Sequence, residues 1–205
     1  MELDNLGIIL VTFTFVPLIL CKISKAAKYY IKMVFYSFSL ILVSWLLIPV
    51  FLLRPKNVKN LLIYANMVKH LTIVLGIKWT LRGREHLSQN KPCVLIANHQ
   101  TCLDALGIYR TRRNTGEIHA FKKGAFYTAI HHQVPIIPVV FSSYRHFMDH
   151  KKKVFDEGEI IINALPEIST IGLGIKDIDD LMERTKQQMI DVYDKISEEV
   201  SEKSK

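Results

Sequence analysis

Residues 98–104 read NHQTCLD and follow the apolar run CVLIA, so a histidine, His99, and a carboxylate, Asp104, stand five positions apart just past a strand-like segment. Such a pair has a defined chemical use. A carboxylate that accepts the Nδ1 proton fixes the imidazole tautomer and stabilises the imidazolium, leaving Nε2 to take a proton from a hydroxyl. His99 is then a general base, Asp104 its orienting partner, and the substrate's own alcohol is the nucleophile. Base assistance of this kind typically accelerates a reaction by about 10²–10⁴-fold. The pairing requires a tight turn after His99, because five helical steps alone would rotate Asp104 off the His99 face. The plainer alternative is a helix-capping histidine followed by a solvated first-turn acid. Of the eight histidines, only His99 has an aspartate five residues downstream.

Other reactive side chains are less well placed. Cys102 lies inside the same stretch but has no second base assigned to it. His131 and His132 are sequence neighbours in a helix-like segment and point in different directions, so no metal site is expected there. Cys21, Cys93 and Cys102 form no CxxC or CxC pair, which argues against a disulfide framework or a zinc site.

The elements that would hold His99 can be read from periodicity. IKWTLRG at 77–83 alternates Ile77, Trp79 and Leu81 with polar residues, as a half-buried strand does. The turn-rich REHLSQNKP follows, then CVLIAN, a run of the kind found in buried strands. A histidine at the carboxyl end of such a strand faces the region where α/β folds bind ligands. PIIPVVF at 135–141 is a further strand, which its two prolines assign to an edge or a strand start. KVFDEGEIIINALPEI at 153–168 gives two extended pieces hinged at Glu157-Gly158. From Asp177 onward Ile178, Leu181, Thr185, Met189, Val192, Ile196 and Val200 recur at three- and four-residue intervals, predicting a long amphipathic C-terminal helix with an acidic start.

The N-terminal part has a different character. No charge occurs from Asn5 to Cys21, or from Met33 to Leu53, and the second run as a helix would rise about 30 Å, a bilayer's hydrocarbon thickness. Glu2 and Asp4 precede the first run, which disfavours a cleaved signal peptide. Two transmembrane helices or a helical hairpin dipping into one leaflet both satisfy these lengths. Lys22, Lys25, Lys28 and Lys32 fall between the runs, where a basic loop is expected, and Arg54, Lys56 and Lys59 follow the second. We expect a hairpin or one non-crossing run, with this loop and the main domain on the cytoplasmic face. Residues 56–76 read as an interfacial or packing helix. The net charge of +8 points to an anionic partner, and its crowding beside apolar runs favours membrane lipids over nucleic acid.

The expected architecture is therefore α/β: membrane-embedded helices over 1–54, then a domain over 55–205 with a central sheet and a long terminal helix. Asn98, His99 and Asp104 match the N-H-x-x-x-x-D box of the 1-acylglycerol-3-phosphate O-acyltransferases, of the phospholipid-synthesis acyltransferase superfamily. NTGEIHAFKKGAF at 114–126 resembles the stretch after that family's third motif, and VPIIPVVFSSY at 134–144 resembles its fourth. The resemblance covers most of the chain. It implies transfer of an acyl group from acyl-CoA, as co-substrate and with no other cofactor, to the sn-2 hydroxyl of lysophosphatidic acid at the endoplasmic reticulum membrane, with His99 as base and Asp104 as its orienter.

One region departs from the family pattern. The G-x-x-F-I-x-R motif is absent, and only Thr111 and Arg112 remain where F-P-E-G-T-R would end, with Tyr109 and Arg110 at the places of its Glu and Gly. This marks a form shortened between 105 and 113. Arg112 and Thr111 are the candidates for the acceptor's phosphate, since a guanidinium engages phosphate oxygens in a bidentate way. Lys122 and Lys123 are expected to assist, along with Arg110 and Arg113, by raising the local positive potential; the alternative is a solvated basic loop. A shortened relative without activity, acting as a lipid-binding or regulatory partner in the membrane, is the competing expectation.

Overall fold

The structure, a computed structural model, describes residues 24–57, 59–88, 91–98 and 122–203 together with Gly7, Val16 and Lys22. It falls into two compact units, one of Met1–Ile77 with Phe147–Glu157, the other of Lys78–His146 with Gly158–Lys205.

The first unit is built on α1, Lys25–Leu53, and α2, Lys59–Val74. Ser24 caps α1 by accepting a hydrogen bond from the Ala27 N–H at 3.3 Å, which satisfies one of the unpaired first-turn donors. The helix therefore starts well before the apolar run. This corrects the expected basic loop: Lys25, Lys28 and Lys32 are helical, in a segment of good helix formers, and Lys28 is paired with Asp156 at 2.7 Å. Tyr29, Tyr36, Ser39, Val43 and Leu47 are buried at seven-, three- and four-residue spacings, a single stripe down the helix. The remaining faces expose Val34, Phe38, Ile41, Trp45, Leu46 and Leu52. A short hairpin, β4 (Met148–Asp149) and β5 (Val154–Phe155), completes the unit. The first apolar run, 5–21, lies outside the described residues apart from two isolated positions.

The second unit holds β1 (Ile77–Arg82), α3 (Arg84–Leu87), β2 (Val94–Ala97), α4 (Lys123–His131), β3 (Ile136–Phe141), β6 (Gly158–Ala164) and α5 (Ile178–Glu202). Its four strands lie in the order β1-β6-β3-β2, with β2 parallel and β6 antiparallel to β3. Gly83, at φ +68, turns the chain out of β1 into the single turn of α3, and a Cβ there would run into the Ala164 carbonyl.

Pro135 stands just before the first residue of β3, as a strand start expects, but Pro138 does not confine the strand to an edge: β3 is a central strand, with Ile136–Val140 all buried. Pro138 is tolerated because its missing N–H falls between two pairings. Ile136 exchanges both backbone bonds with Ile168, the β6 ladder begins at Val139, and the Pro138 carbonyl still accepts from the Leu165 N–H at 2.8 Å. By contrast β2 is at the edge of the described sheet, with Leu95 57% exposed, rather than buried on both sides.

Helix α5 packs on β3 and β6, and α4 on β2 and α5. Their shared core contains Phe126, Ile136, Val140, Ile161, Leu181 and Met189. The predicted stripe on α5 is buried apart from Val192, which yields to its neighbour Tyr193. Buried hydroxyls are satisfied: Thr185 donates to the Leu181 carbonyl and Thr170 to that of Val134.

Candidate functional site

Strand β2 delivers the chain to Asn98, which is 6% exposed. Its side chain makes two opposed bonds to one residue of β3. The Asn98 amide nitrogen donates to the Phe141 carbonyl at 3.0 Å, and the Phe141 N–H donates to Asn98 Oδ1 at 2.8 Å. A carboxamide has one acceptor and one donor side, so here it stands in for the next peptide of the ladder and extends the β2–β3 register by one step. The parallel pairing from Val94↔Ile136 to Ala97↔Val139 thus ends in a side-chain clamp.

The residues after Phe141 are fixed in turn. Ser142 is fully buried; its N–H donates to the Ile161 carbonyl at 2.9 Å, and its hydroxyl oxygen accepts from the Ile161 N–H at 3.0 Å. The Ser143 N–H donates to the Ser197 hydroxyl of α5 at 2.9 Å. The carboxyl ends of β2 and β3 are therefore held to each other, to β6 and to the terminal helix. A rigid platform of this kind is what a residue in the next position needs if its side chain is to be aimed to within a fraction of an ångström.

His99, Asp104, Thr111 and Arg112 lie outside the described residues. Lys122 precedes the first turn of α4 and is exposed. Lys123, in that first turn, forms an ion pair with Asp179 of α5 at 2.6 Å, with both side chains more than half exposed. The hydrogen bond from Lys123 to Asp179, reinforced by their charge attraction, holds the ammonium above its ordinary pKa. Exposed as it is, the pair adds little to stability. Its geometric effect is to join the start of α4 to the start of α5.

A second charged cluster lies on the same unit. Arg82 of β1 grips Glu199 of α5 with two bonds of 2.8 and 2.7 Å, Lys203 bridges Glu199 and Glu159, and Thr80 donates to Glu159. The hydrogen bond from Arg82 and then that from Lys203 pull the Glu199 carboxyl down to about 2. This network, which ties the far end of α5 to the sheet, has no local sequence signal, since Arg82 and Glu199 are 117 residues apart. The clamp residue Asn98 was visible as part of the box, but its partner Phe141 carries no polar side chain to announce it. Among the described residues no group of three or more His, Cys, Asp or Glu is placed to hold a metal ion. His131 and His132 stack edge to face at 4.8 Å.

Known proteins bear on this arrangement. A family model described as Acyltransferase matches residues 107–142. The 1-acyl-sn-glycerol-3-phosphate acyltransferase alpha of Homo sapiens is 28% identical over 238 aligned positions, covering 85% of this chain and 84% of that protein. The beta protein of Homo sapiens is 27% identical over the same number of positions, covering 84% and 86%. The crystal structure of the 1-acyl-sn-glycerophosphate (LPA) acyltransferase PlsC from Thermotoga maritima has the same fold, with a TM-score of 0.59 at 14% identity over 81% of this chain and 99% of that one.

Proposed function

We propose that this chain, similar over 85% of its length to 1-acyl-sn-glycerol-3-phosphate acyltransferase alpha and matched by an Acyltransferase family model over residues 107–142, transfers an acyl group from acyl-CoA to the sn-2 hydroxyl of lysophosphatidic acid, giving phosphatidic acid. The observation that carries the reading is the Asn98 clamp, which fixes the residue immediately before His99 at the carboxyl end of β2.

In the proposed step, His99 Nε2 removes the proton of the sn-2 hydroxyl while Asp104 holds Nδ1–H and stabilises the imidazolium. The freed oxygen attacks the thioester carbonyl, the C–S bond breaks, and the proton returns from His99 to the departing CoA thiolate. Arg112 and Thr111 hold the acceptor's phosphate, and Lys122 and Lys123 supply positive potential at its rim, Lys123 from the position Asp179 gives it. Membrane association is supported by one helix, α1, long and apolar enough to cross a bilayer. The apolar donor and acceptor chains then arrive from that bilayer. The proposed arrangement is a membrane-embedded part over 1–54 and a catalytic α/β domain over 55–205, at the endoplasmic reticulum membrane with the domain on its cytoplasmic face.

A second reading has its own support. The alignments to the human proteins run over 238 positions, more than the 205 residues of this chain. The excess agrees with a form shortened between 105 and 113, in which the acceptor site is incomplete and the chain acts as a lipid-binding or regulatory partner. A misplacement of about 1 Å costs about 10²-fold in rate, so such a site would silence His99 without removing it.

The deciding experiment is acylation of lysophosphatidic acid by the purified full chain in nanodiscs, run beside His99→Ala. The enzyme reading expects turnover that falls by at least about 10²-fold in the variant. Equal background from both proteins supports the second reading.

A further inference from the structure

The hairpin of the first unit carries four consecutive basic or titratable residues at its turn, His150, Lys151, Lys152 and Lys153, and it is fastened to the first turns of α1. Tyr29 and His150 share a hydrogen bond of 2.7 Å between the phenol oxygen and Nδ1. The Lys153 ammonium sits 5.2 Å from the ring centre of Tyr29 and 5.4 Å from that of Tyr30. Lys28 pairs with Asp156 at 2.7 Å, and Lys32 donates to the Leu75 carbonyl at 2.7 Å while lying 5.1 Å from the Phe155 ring centre. These contacts set the height of the hairpin along α1. Tyr30 is three residues before Met33, where the uncharged stretch begins, a rise of about 5 Å.

Three features coincide at that level. Tyr29 and Tyr30 stand where aromatic residues anchor helices at a membrane interface. Lys151 and Lys152 are exposed, Asp149 accepts from their backbone N–H groups at 2.8 and 3.0 Å, and among the described residues neither ammonium group is in a salt bridge. Lys25 adds a further exposed cation on the first turn of α1. Against these stand Asp149 and Asp156, the latter taken up by Lys28. The result is a net positive ledge directly beside an apolar helix face that exposes Val34, Phe38 and Ile41.

We propose that the Lys151–Lys153 turn, with Lys25, docks on the headgroups of anionic phospholipids at the surface of the bilayer that receives α1. The proposal rests on the reading of α1 as membrane-embedded. The hairpin acts as a strut: the cation–π contacts on Tyr29 and Tyr30 hold Lys153 in place, and Lys151 and Lys152 face the phosphates. It would bias the first unit to membranes rich in acidic lipid independently of the reacting groups.

The test is native mass spectrometry of the full chain released from nanodiscs made with equal amounts of phosphatidylserine and phosphatidylcholine. Recovery of the chain in the nanodiscs tests the embedding of α1 first, so its failure there would be separate from failure of the ledge. The wild-type chain is expected to retain phosphatidylserine preferentially, and Lys151→Gln/Lys152→Gln to lower that preference by about 25-fold, about fivefold for each lysine at a charged surface. Lys176→Gln/Lys195→Gln, two exposed lysines of the other unit, should leave it unchanged. An undiminished preference in the first variant, an equal loss in the second, or displacement of the lipid by equimolar inorganic phosphate would each overturn the proposal.

Discussion

The two units of this chain obey one hydrophobic effect in opposite ways. In the second, α5 turns Leu181, Met189 and Ile196 onto the sheet and presents charged residues such as Asp191 and Lys195 to solvent. In the first, α1 buries a narrow stripe that includes a serine and exposes Trp45 at 72% and Leu52 at 75%. A helix that buries its apolar side chains against protein has found its solvent-excluding partner within the fold. One that displays them over most of its circumference is matched to a non-aqueous surrounding. On the proposed function, the difference separates the unit that would position the chemistry from the helix that would meet the membrane.

The comparison can be broken first at the core of the second unit. Phe126 is fully buried in the core shared by the sheet and α5, and Phe126→Ala should cost about 3–5 kcal/mol, read as a lowered midpoint in thermal or denaturant unfolding. A cost below about 1 kcal/mol would mean that this core is not the one that stabilises the sheet.

The matching change in the first unit is a charge rather than a cavity. Ile41 is 62% exposed near the middle of the apolar run, so Ile41→Lys should leave water-facing packing untouched yet oppose insertion by about 2.5–3.5 kcal/mol. Membrane retention after alkaline extraction measures it. Asp191→Lys on the solvent face of α5 is the counterpart, and no change is expected there.

Asn98→Ala comes next. It removes both bonds that the Asn98 side chain makes to the Phe141 backbone, at about 0.5–1.5 kcal/mol each. Turnover should fall by more than stability alone explains, because the position before His99 loses its anchor. Asn98→Asp keeps the acceptor but sets a carboxylate oxygen against the Phe141 carbonyl in a buried position, so it should not recover the loss.

The smallest effect concerns Glu199. Its folded pKa lies below its ordinary value of 4.5, at about 2, so the Arg82 and Lys203 contacts stabilise the fold fully above about pH 4.5 and lose that contribution as the pH falls towards 2. Because the pair is part exposed, at most about 1 kcal/mol is at stake. Glu199→Gln should flatten the acid limb by lowering stability at neutral pH by at most about 1 kcal/mol while leaving it unchanged near pH 2.

Much of this was legible in the residues. The α5 stripe, the existence of β1 and the hinge at Glu157-Gly158 follow from local periodicity, which depends only on neighbours in the chain; the alternation expected within β1 does not hold to its end, where Leu81 is 46% exposed. The errors came where long-range partners decide. Pro138 reads as an edge signal until Ile168 and Ala164 are seen to pair on either side of it, and Lys28 and Lys32 read as loop charges until Asp156 and Leu75 supply their partners. For the candidate site, the box at 98–104 announces its own chemistry, and the clamp on Phe141 adds what spacing alone does not contain. His99, Asp104, Thr111 and Arg112 remain assigned by residue type and resemblance.

The central claim is that His99 and Asp104 act as one unit, and a double-mutant cycle on lysophosphatidic acid acylation addresses it directly. If they do, His99→Gln and Asp104→Asn each remove at least about 10²-fold of kcat, and the double variant is no slower than His99→Gln alone. Full activity in Asp104→Asn, or losses that multiply in the double variant, would contradict it.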